Sequence, residues 1–313
     1  MKWLKPMLPT LVTDLPTEND WCYEVKYDGF RATIYIEKNE TKIISRNLNE
    51  LNPQFPEIVR YFQQHTQMQQ LTPIIFDGEL CVLETENKAS FDKIQKRGRL
   101  KNSDKINQAK NTLPVTFLAF DLLMVKGESI TNKPLQDRQK KLYELFNKLN
   151  IDSPYFKKVK TYTNASLTLQ LVKNEDGEGI VAKEINSKWL AGKRSKQWLK
   201  IKNMLIGTFF ILGYDESNSF FHIGCIDEDE VKMIGKVGQG FSKEEKESLI
   251  SIIKKNSTGK KQSIYEVGPS ICIEVEFLEL SKNELRHPKF RRFRLDKHWE
   301  ECTWAQIRRA THN

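Results

Sequence analysis

The sequence predicts an α+β protein of two domains, the first mixing strands with helices and the second a small β-barrel. Three observations carry that expectation. Strand-like and helical stretches alternate over residues 1–202. Near Asn203 the chain changes to short strands separated by Gly207, Gly213, Gly224, Gly235, Gly238 and Gly240. The charge changes there too: residues 1–202 hold 33 Lys/Arg against 24 Asp/Glu, whereas 203–313 hold 17 of each. The expected domains are therefore 1–202 and 203–313.

At 39% hydrophobic and 29% charged, the 313-residue chain can bury real cores. It has no apolar run long enough to cross a bilayer, and Pro6 and Pro9 break the start where a leader would need an apolar centre. A soluble cytoplasmic protein, nucleoid-associated and with no membrane partner, is expected. The five cysteines (22, 81, 225, 272, 302) are odd in number and scattered, and the five histidines (65, 222, 287, 298, 312) lack metal-ligand spacing. Both sets read as structural or surface residues. The basic first part points to a polyanion such as nucleic acid.

Residues 1–20, with three prolines, read as irregular. Trp21 to Val25 is strand-like and leads into Lys26-Tyr27-Asp28-Gly29, an acid-glycine turn that suits a lysine nucleophile as well as an ordinary hairpin. Arg31–Glu37 and Thr41–Ser45 read as a hairpin closed by Arg46 and Asn47, and Phe55–Gln64 as a helix. Pro73–Phe76 reads as a buried strand ending in a glycine turn that presents Glu79. Phe91–Arg97 looks helical, and Arg97–Lys101 is a basic run suited to a solvated loop or a DNA backbone. Val115–Leu123 is an apolar strand in which Phe120 could offer a ring to a base. Leu135–Leu149 is a helix with Arg138 on its polar side. Glu178 then precedes a short apolar strand to Lys183, and Lys200 and Lys202 share a face of the next strand, where two like charges call for an anion between them.

In the second part Lys243–Lys255 reads as a helix and Ser270–Leu280 as a half-buried strand. Five short strands with one helix suit a barrel of the oligonucleotide-binding (OB) type. Arg286–Lys297 is basic and interleaved with aromatics.

Taken in order, these stretches resemble the nucleotidyltransferase motifs of ATP-dependent DNA ligases. The resemblance rests on Lys26–Gly29, Ser45–Asn47, Phe76–Leu80, Phe120–Leu123, Glu178–Lys183, Trp198–Lys202 and Arg294-Leu295-Asp296-Lys297. Within that family, Arg97–Lys101, Asn186–Leu190 and Glu301–Gln306 resemble the ligase domain of bacterial ligase D, the non-homologous end-joining enzyme, of the Bacillus type. The implied fold is a nucleotidyltransferase (ATP-grasp-like ligase adenylation) domain of antiparallel sheets and helices, followed by an OB-fold barrel. Because 25 residues precede Lys26, the extra N-terminal DNA-binding domain of replicative ligases is expected to be missing, and the end at Asn313 fits a stand-alone form or an excised domain.

The resemblance implies ATP and Mg²⁺ (or Mn²⁺) as cofactors. It implies nicked or broken duplex DNA as substrate, a Ku-type end-binding protein and a polymerase domain as partners, and a monomer. Lys26 would take AMP, with its ammonium form disfavoured by the metal and Lys200. Lys200 and Lys202 would hold the α-phosphate, and Glu79 and Glu178 the metal and ribose. Glu24 would read adenine, Phe120 stack on it, Lys183 lie on the adenine or sugar side, and Arg31 meet a phosphate or the ribose. Arg46 would hold the DNA 5′-phosphate, while Arg294 and Lys297 close over the nucleotide to orient pyrophosphate. Phe293 stands where the family has a smaller aliphatic residue, and Arg291, Arg292 and Arg294 compete for the same contacts. The alternatives are an RNA ligase or a capping guanylyltransferase, against which Glu24 argues, and a non-catalytic DNA-binding module.

Overall fold

The computed structural model describes residues 1–16, 19–281 and 283–305, so Gln306 and His312 fall outside it. The chain divides into two compact units between Asn203 and Met204. Asn203 stays with the first because its backbone N–H donates to the Glu178 carbonyl and its side chain to the Gly177 carbonyl.

In the first unit the elements run β1 (Leu8–Leu11), β2 (Trp21–Val25), β3 (Phe30–Glu37), β4 (Glu40–Ser45), α1 (Pro56–Gln64) and α2 (Thr66–Gln69). They continue with β5 (Ile74–Cys81), α3 (Phe91–Gly98), α4 (Ser103–Thr112), β6 (Thr116–Val125), β7 (Glu128–Ser129) and α5 (Leu135–Lys148). β8 (Phe156–Lys158), β9 (Thr161–Tyr162), α6 (Ala165–Asn174), β10 (Gly179–Glu184) and β11 (Arg194–Lys202) complete it. Two sheets result, one ordered β1-β11-β10-β2-β9 and the other β4-β3-β5-β6-β7 with β8 beside β6.

Period-two alternation decides what each sheet face carries. In the second sheet Ile34, Ile36, Phe76, Leu80 and Phe117 point to a core shared with α1, α3 and α5. There Phe156 lies 4.6–6.0 Å from the rings of Phe62, Phe76, Phe117 and Phe146, and each such pair adds about 1 kcal/mol beyond area burial. In the first sheet Tyr23, Val25, Ile180, Ala182 and Ile201 pack under α6. The remaining faces meet through Cys22, Tyr35, Ile75, Leu123, Trp189 and Trp198. That inner layer is only partly apolar, and its polar positions form the site described below.

Several expectations are corrected. Residues 8–11 are a strand, because β1 pairs in parallel with β11; β8 is likewise parallel to β6, so the sheets are not wholly antiparallel. Gly78 does not turn the chain. β5 continues through it, with a break in its register against β6 between Asp77 and Gly78, and a Cβ there would lie 2.5 Å from the Leu118 carbonyl and from the Phe117 ring, so glycine serves close strand packing. Arg97 is neither loop nor DNA contact: it is fully buried in α3, donating to both oxygens of Glu57 (2.7 and 2.9 Å). Arg138 is also buried, forked onto Asp121 (2.9 and 2.7 Å) and donating to the Lys133 and Ser187 carbonyls. Amphipathic patterning assigns arginine to solvent, whereas a bidentate buried carboxylate keeps it inside.

The second unit contains β12 (Leu205–Asp215), β13 (Phe220–Asp227), β14 (Glu230–Val237), α7 (Lys243–Lys255), β15 (Gly259–Lys261) and β16 (Ile264–Glu266). β17 (Cys272–Phe277), β18 (Glu279–Ser281), β19 (Glu284–Arg286) and β20 (Lys289–Phe293) follow. The strands thus outnumber the five expected. β12 is the organising strand, pairing with β17 through Leu205–Phe210 and with β13 and β16 beyond, so the sheet curls around it. α7 starts in a capping box between Ser242 and Glu245 and buries Leu249 and Ile253 in this core.

All five cysteines are free and buried, although Cys272 and Cys302 bring their sulfurs to 3.7 Å. Among the histidines, His65 caps α2 by accepting from the Met68 amide. No helix among the described residues is long and apolar enough to span a membrane.

Candidate active site

A cavity of about 550 Å³ opens between the two sheets of the first unit. Its lining follows from the alternation already described. Glu24 on β2 and Lys26 just beyond it share a face, as do Val181 and Lys183 on β10, and Trp198 and Lys200 on β11. Arg31 on β3, Glu79 on β5, Phe120 on β6 and the Ser45–Asn47 corner supply the opposite wall.

Lys26 leaves the sheet where its backbone N–H donates to the Gly179 carbonyl at 2.9 Å. Its ammonium is ion-paired with the Glu178 carboxylate, and both side chains are largely buried. Gly29 follows at a bend packed so closely on β5 that a Cβ there would strike the Leu80 carbonyl at 2.3 Å. Burial drives the Glu178 carboxyl up, with Lys26 opposing that shift. Burial likewise pushes Glu79 up to about 8, against the attraction of Arg31 and Lys26. Lys200 is held below the ordinary ammonium range, first by burial and then by repulsion from Lys26 and Lys202.

A second buried pair forms the cavity floor. Lys183 Nζ lies 2.6 Å from Glu24 Oε2, and Gln139 Nε2 of α5 donates to Glu24 Oε1 at 2.8 Å. The Lys183 ammonium also faces the rings of Phe120 (4.3 Å) and Trp198 (4.4 Å). Burial pushes the Glu24 carboxyl up, and Lys183 works against it.

Arg31 lines the cavity, but its Nε and Nη2 are forked onto Asp77 at 2.7 and 2.8 Å, and its guanidinium stacks over Phe120 at 4.3 Å. Asp77 is fully buried and also accepts from the Trp189 indole at 2.8 Å. Arg46 is exposed on the rim. Lys202 follows Lys200 on the same face of β11 and acts electrostatically on Glu178 without lining the cavity. Arg294 and Lys297 belong to the second unit. There Arg294 forks onto Asp296 (2.8 and 2.7 Å) and reaches Glu274 at 3.4 Å, and Lys297 pairs with Glu301. Glu274 also takes Arg292 (3.0 Å), while Arg291 stands at 4.0 Å. The sequence reading missed Asp77, Gln139 and Trp198 as parts of the site. Asp77 was legible as the i−2 neighbour of Glu79 on one strand face; Gln139 carried no signal.

Comparison with known proteins is consistent across the chain. The ATP dependent DNA ligase domain matches residues 6–202, and the ATP dependent DNA ligase C terminal region matches 216–297. The bifunctional non-homologous end joining protein LigD of Bacillus subtilis (strain 168) is 36% identical over 309 residues, covering 96% of this chain and 51% of that protein. A "DNA ligase 2" of Methanosarcina mazei is 25% identical over 327 residues, 97% of this chain and 57% of its own. The chain therefore spans about half the length of the curated relatives it matches. Among solved structures, a mycobacterial DNA ligase D complexed with ATP and MES shares the fold at 23% identity and TM-score 0.57, covering 96% of this chain and 98% of the other. The first unit's match alone takes in most of the chain, the second adds its own, and by both this protein is a member of the ATP-dependent DNA ligase family.

Proposed function

We propose that the chain joins 5′-phosphate to 3′-hydroxyl ends in nicked or broken duplex DNA, through a lysyl-AMP and then a DNA-adenylate. The observation that carries this reading is Lys26 at the mouth of the cavity, paired with Glu178 and flanked by Glu79 and Lys200. In the first step the Lys26 amine, released from Glu178 and stripped of a proton, attacks the α-phosphate of ATP. An N–P bond forms and pyrophosphate leaves with the electrons of the broken P–O bond. Lys200 and Lys202 offset the charge gathering on the phosphate. Lys183 and Glu24 hold the adenine side, Phe120 offers its ring, and Arg31, anchored by Asp77, keeps that wall cationic toward phosphate or ribose. In the second step AMP passes to the 5′-phosphate that Arg46 holds. In the third the 3′-hydroxyl displaces AMP. Arg294 and Lys297 orient the pyrophosphate, for which each must leave its present carboxylate partner.

Glu79 and Glu178 fit Mg²⁺ or Mn²⁺ as hard oxygen donors beside a phosphate site, since Mg²⁺ takes one or two carboxylates and completes its shell with water and phosphate oxygens. Among the described residues no cluster of three or more His, Cys, Asp or Glu offers a fuller protein cage. When bound, the ion would act as a Lewis acid on the phosphate. The name of the Bacillus subtilis relative, a non-homologous end joining protein, supports a place in end joining; a monomer acting at the nucleoid with a Ku-type protein and a polymerase domain is the rest of the proposal.

Incubation with a divalent cation and α-labelled ATP tests the reading. Label should appear on the protein, vanish in Lys26→Ala, and chase onto nicked duplex DNA. Labelling by GTP alone, or by neither nucleotide, would overturn it.

A further inference from the structure

We propose that Gln139 sets the nucleotide specificity of the site by fixing Glu24 as a hydrogen-bond acceptor toward the base. This rests on the reading of Glu24 as the adenine contact. Gln139 lies 115 residues from Glu24 in sequence, and its Nε2 donates to Glu24 Oε1 at 2.8 Å. An ionised carboxylate only accepts, so the amide must present its nitrogen. The other oxygen meets Lys183 at 2.6 Å. The amide donor on one oxygen and the ion-paired ammonium beside the other hold the carboxylate in one orientation, with its remaining lone pairs for a ligand.

The chemical consequence concerns the purine 6-position. Adenine carries an amino group there, which an ionised Glu24 accepts. Guanine carries a carbonyl oxygen, which the same carboxylate repels. A protonated Glu24 would donate to the carbonyl and lose the distinction. Burial favours that protonated form, and Asp121 on β6 adds to the effect, whereas Lys183 on β10 and Arg31 on β3 oppose it; Cys22 on the same strand and Tyr27 just beyond it also feel the Glu24 charge. Lys183 divides its contacts between Glu24 and the faces of Phe120 and Trp198. The Gln139 amide is thus the one neutral donor on this carboxylate among the described residues.

Gln139 is aimed rather than adventitious. Its neighbour Arg138 locks the rotation of α5 through Asp121 and the Lys133 and Ser187 carbonyls. The amide of Gln136 ties the helix start to the Ile185 carbonyl. With Leu142, Leu145 and Phe146 buried as well, α5 does not need Gln139 to stay on the sheet.

The test uses the full chain and compares kcat/KM for protein–AMP and protein–GMP formation in parent, Gln139→Met, Gln139→Leu, Gln139→Lys and Glu24→Gln. Met keeps the side-chain length without a donor, Leu gives the same loss with different packing, and Lys restores a donor. The expected result is an ATP-over-GTP ratio lowered about tenfold in the Met and Leu variants, falling further as pH decreases, retained with Lys, and with little change in Tm. If Glu24→Gln collapses the ratio while the Met and Leu variants keep the parent ratio at every pH, the role of Gln139 is overturned and the reading of Glu24 survives. If Glu24→Gln leaves the ratio intact, both fall.

Discussion

Lys26 and Glu178 meet as an ion pair across 152 residues of sequence, because β2 and β10 are antiparallel neighbours and the chain leaves β2 at the end where it enters β10. The proposed nucleophile is therefore held by a carboxylate. Glu178→Gln should lower the rate of protein–AMP formation about a hundredfold with the fold retained, as read by single-turnover labelling beside a circular dichroism melt.

Arg46 stands exposed on the cavity rim, away from the buried pairs. Arg46→Ala should change stability by less than about 0.5 kcal/mol. Transfer of AMP from protein to a nicked duplex should slow about tenfold or more, while loading of the protein from ATP is preserved. Equal loss in both steps would place Arg46 on ATP instead.

The Arg97–Glu57 pair is a core element, so its removal should be felt in stability and not in DNA binding. Arg97→Ala leaves a buried carboxylate unpaired and should cost about 3 kcal/mol in urea unfolding. Joint replacement, Glu57→Leu with Arg97→Met, should recover most of it. The salt dependence of DNA affinity should be unchanged in both, whereas a DNA-contacting arginine would lower its slope.

His222 on β13 is buried with its Nε2 lacking a hydrogen-bond partner, and burial, aided by Lys236, holds its imidazole below the ordinary range. The folded state then resists a proton that the unfolded chain accepts. The stabilising difference is whole above roughly pH 6.5 and is lost as pH falls below it. His222→Leu should flatten that acid loss in denaturation curves at paired pH values. An unchanged acid limb would assign it to carboxylates.

What the sequence made legible follows from what patterning can carry. The β3–β4 hairpin, α1, α5 and α7 were readable because apolar periodicity and turn residues are local signals. The lysines and glutamates of the cavity were readable through family resemblance, since strand alternation brings them to the two sheet faces that line it. Long-range polar pairing was not. Arg97 and Arg138 looked like surface charges because nothing within a helix announces a carboxylate 40 or 17 residues away. β1 was hidden because its partner β11 lies 185 residues on. Gly78 looked like a turn because glycine also serves close strand contact. Gln139 was invisible for the same reason as Arg138: its partner is set by the docking of α5.

The central claim is that Lys26, and no other lysine of this cavity, carries the nucleotide. Peptide mapping after reaction with ATP and a divalent cation, by mass spectrometry under conditions that preserve phosphoramidates, tests it directly. AMP is expected on the peptide holding Lys26. AMP on Lys183, Lys200 or Lys202 instead, or an unmodified Lys26 in protein that still seals nicks, would contradict it.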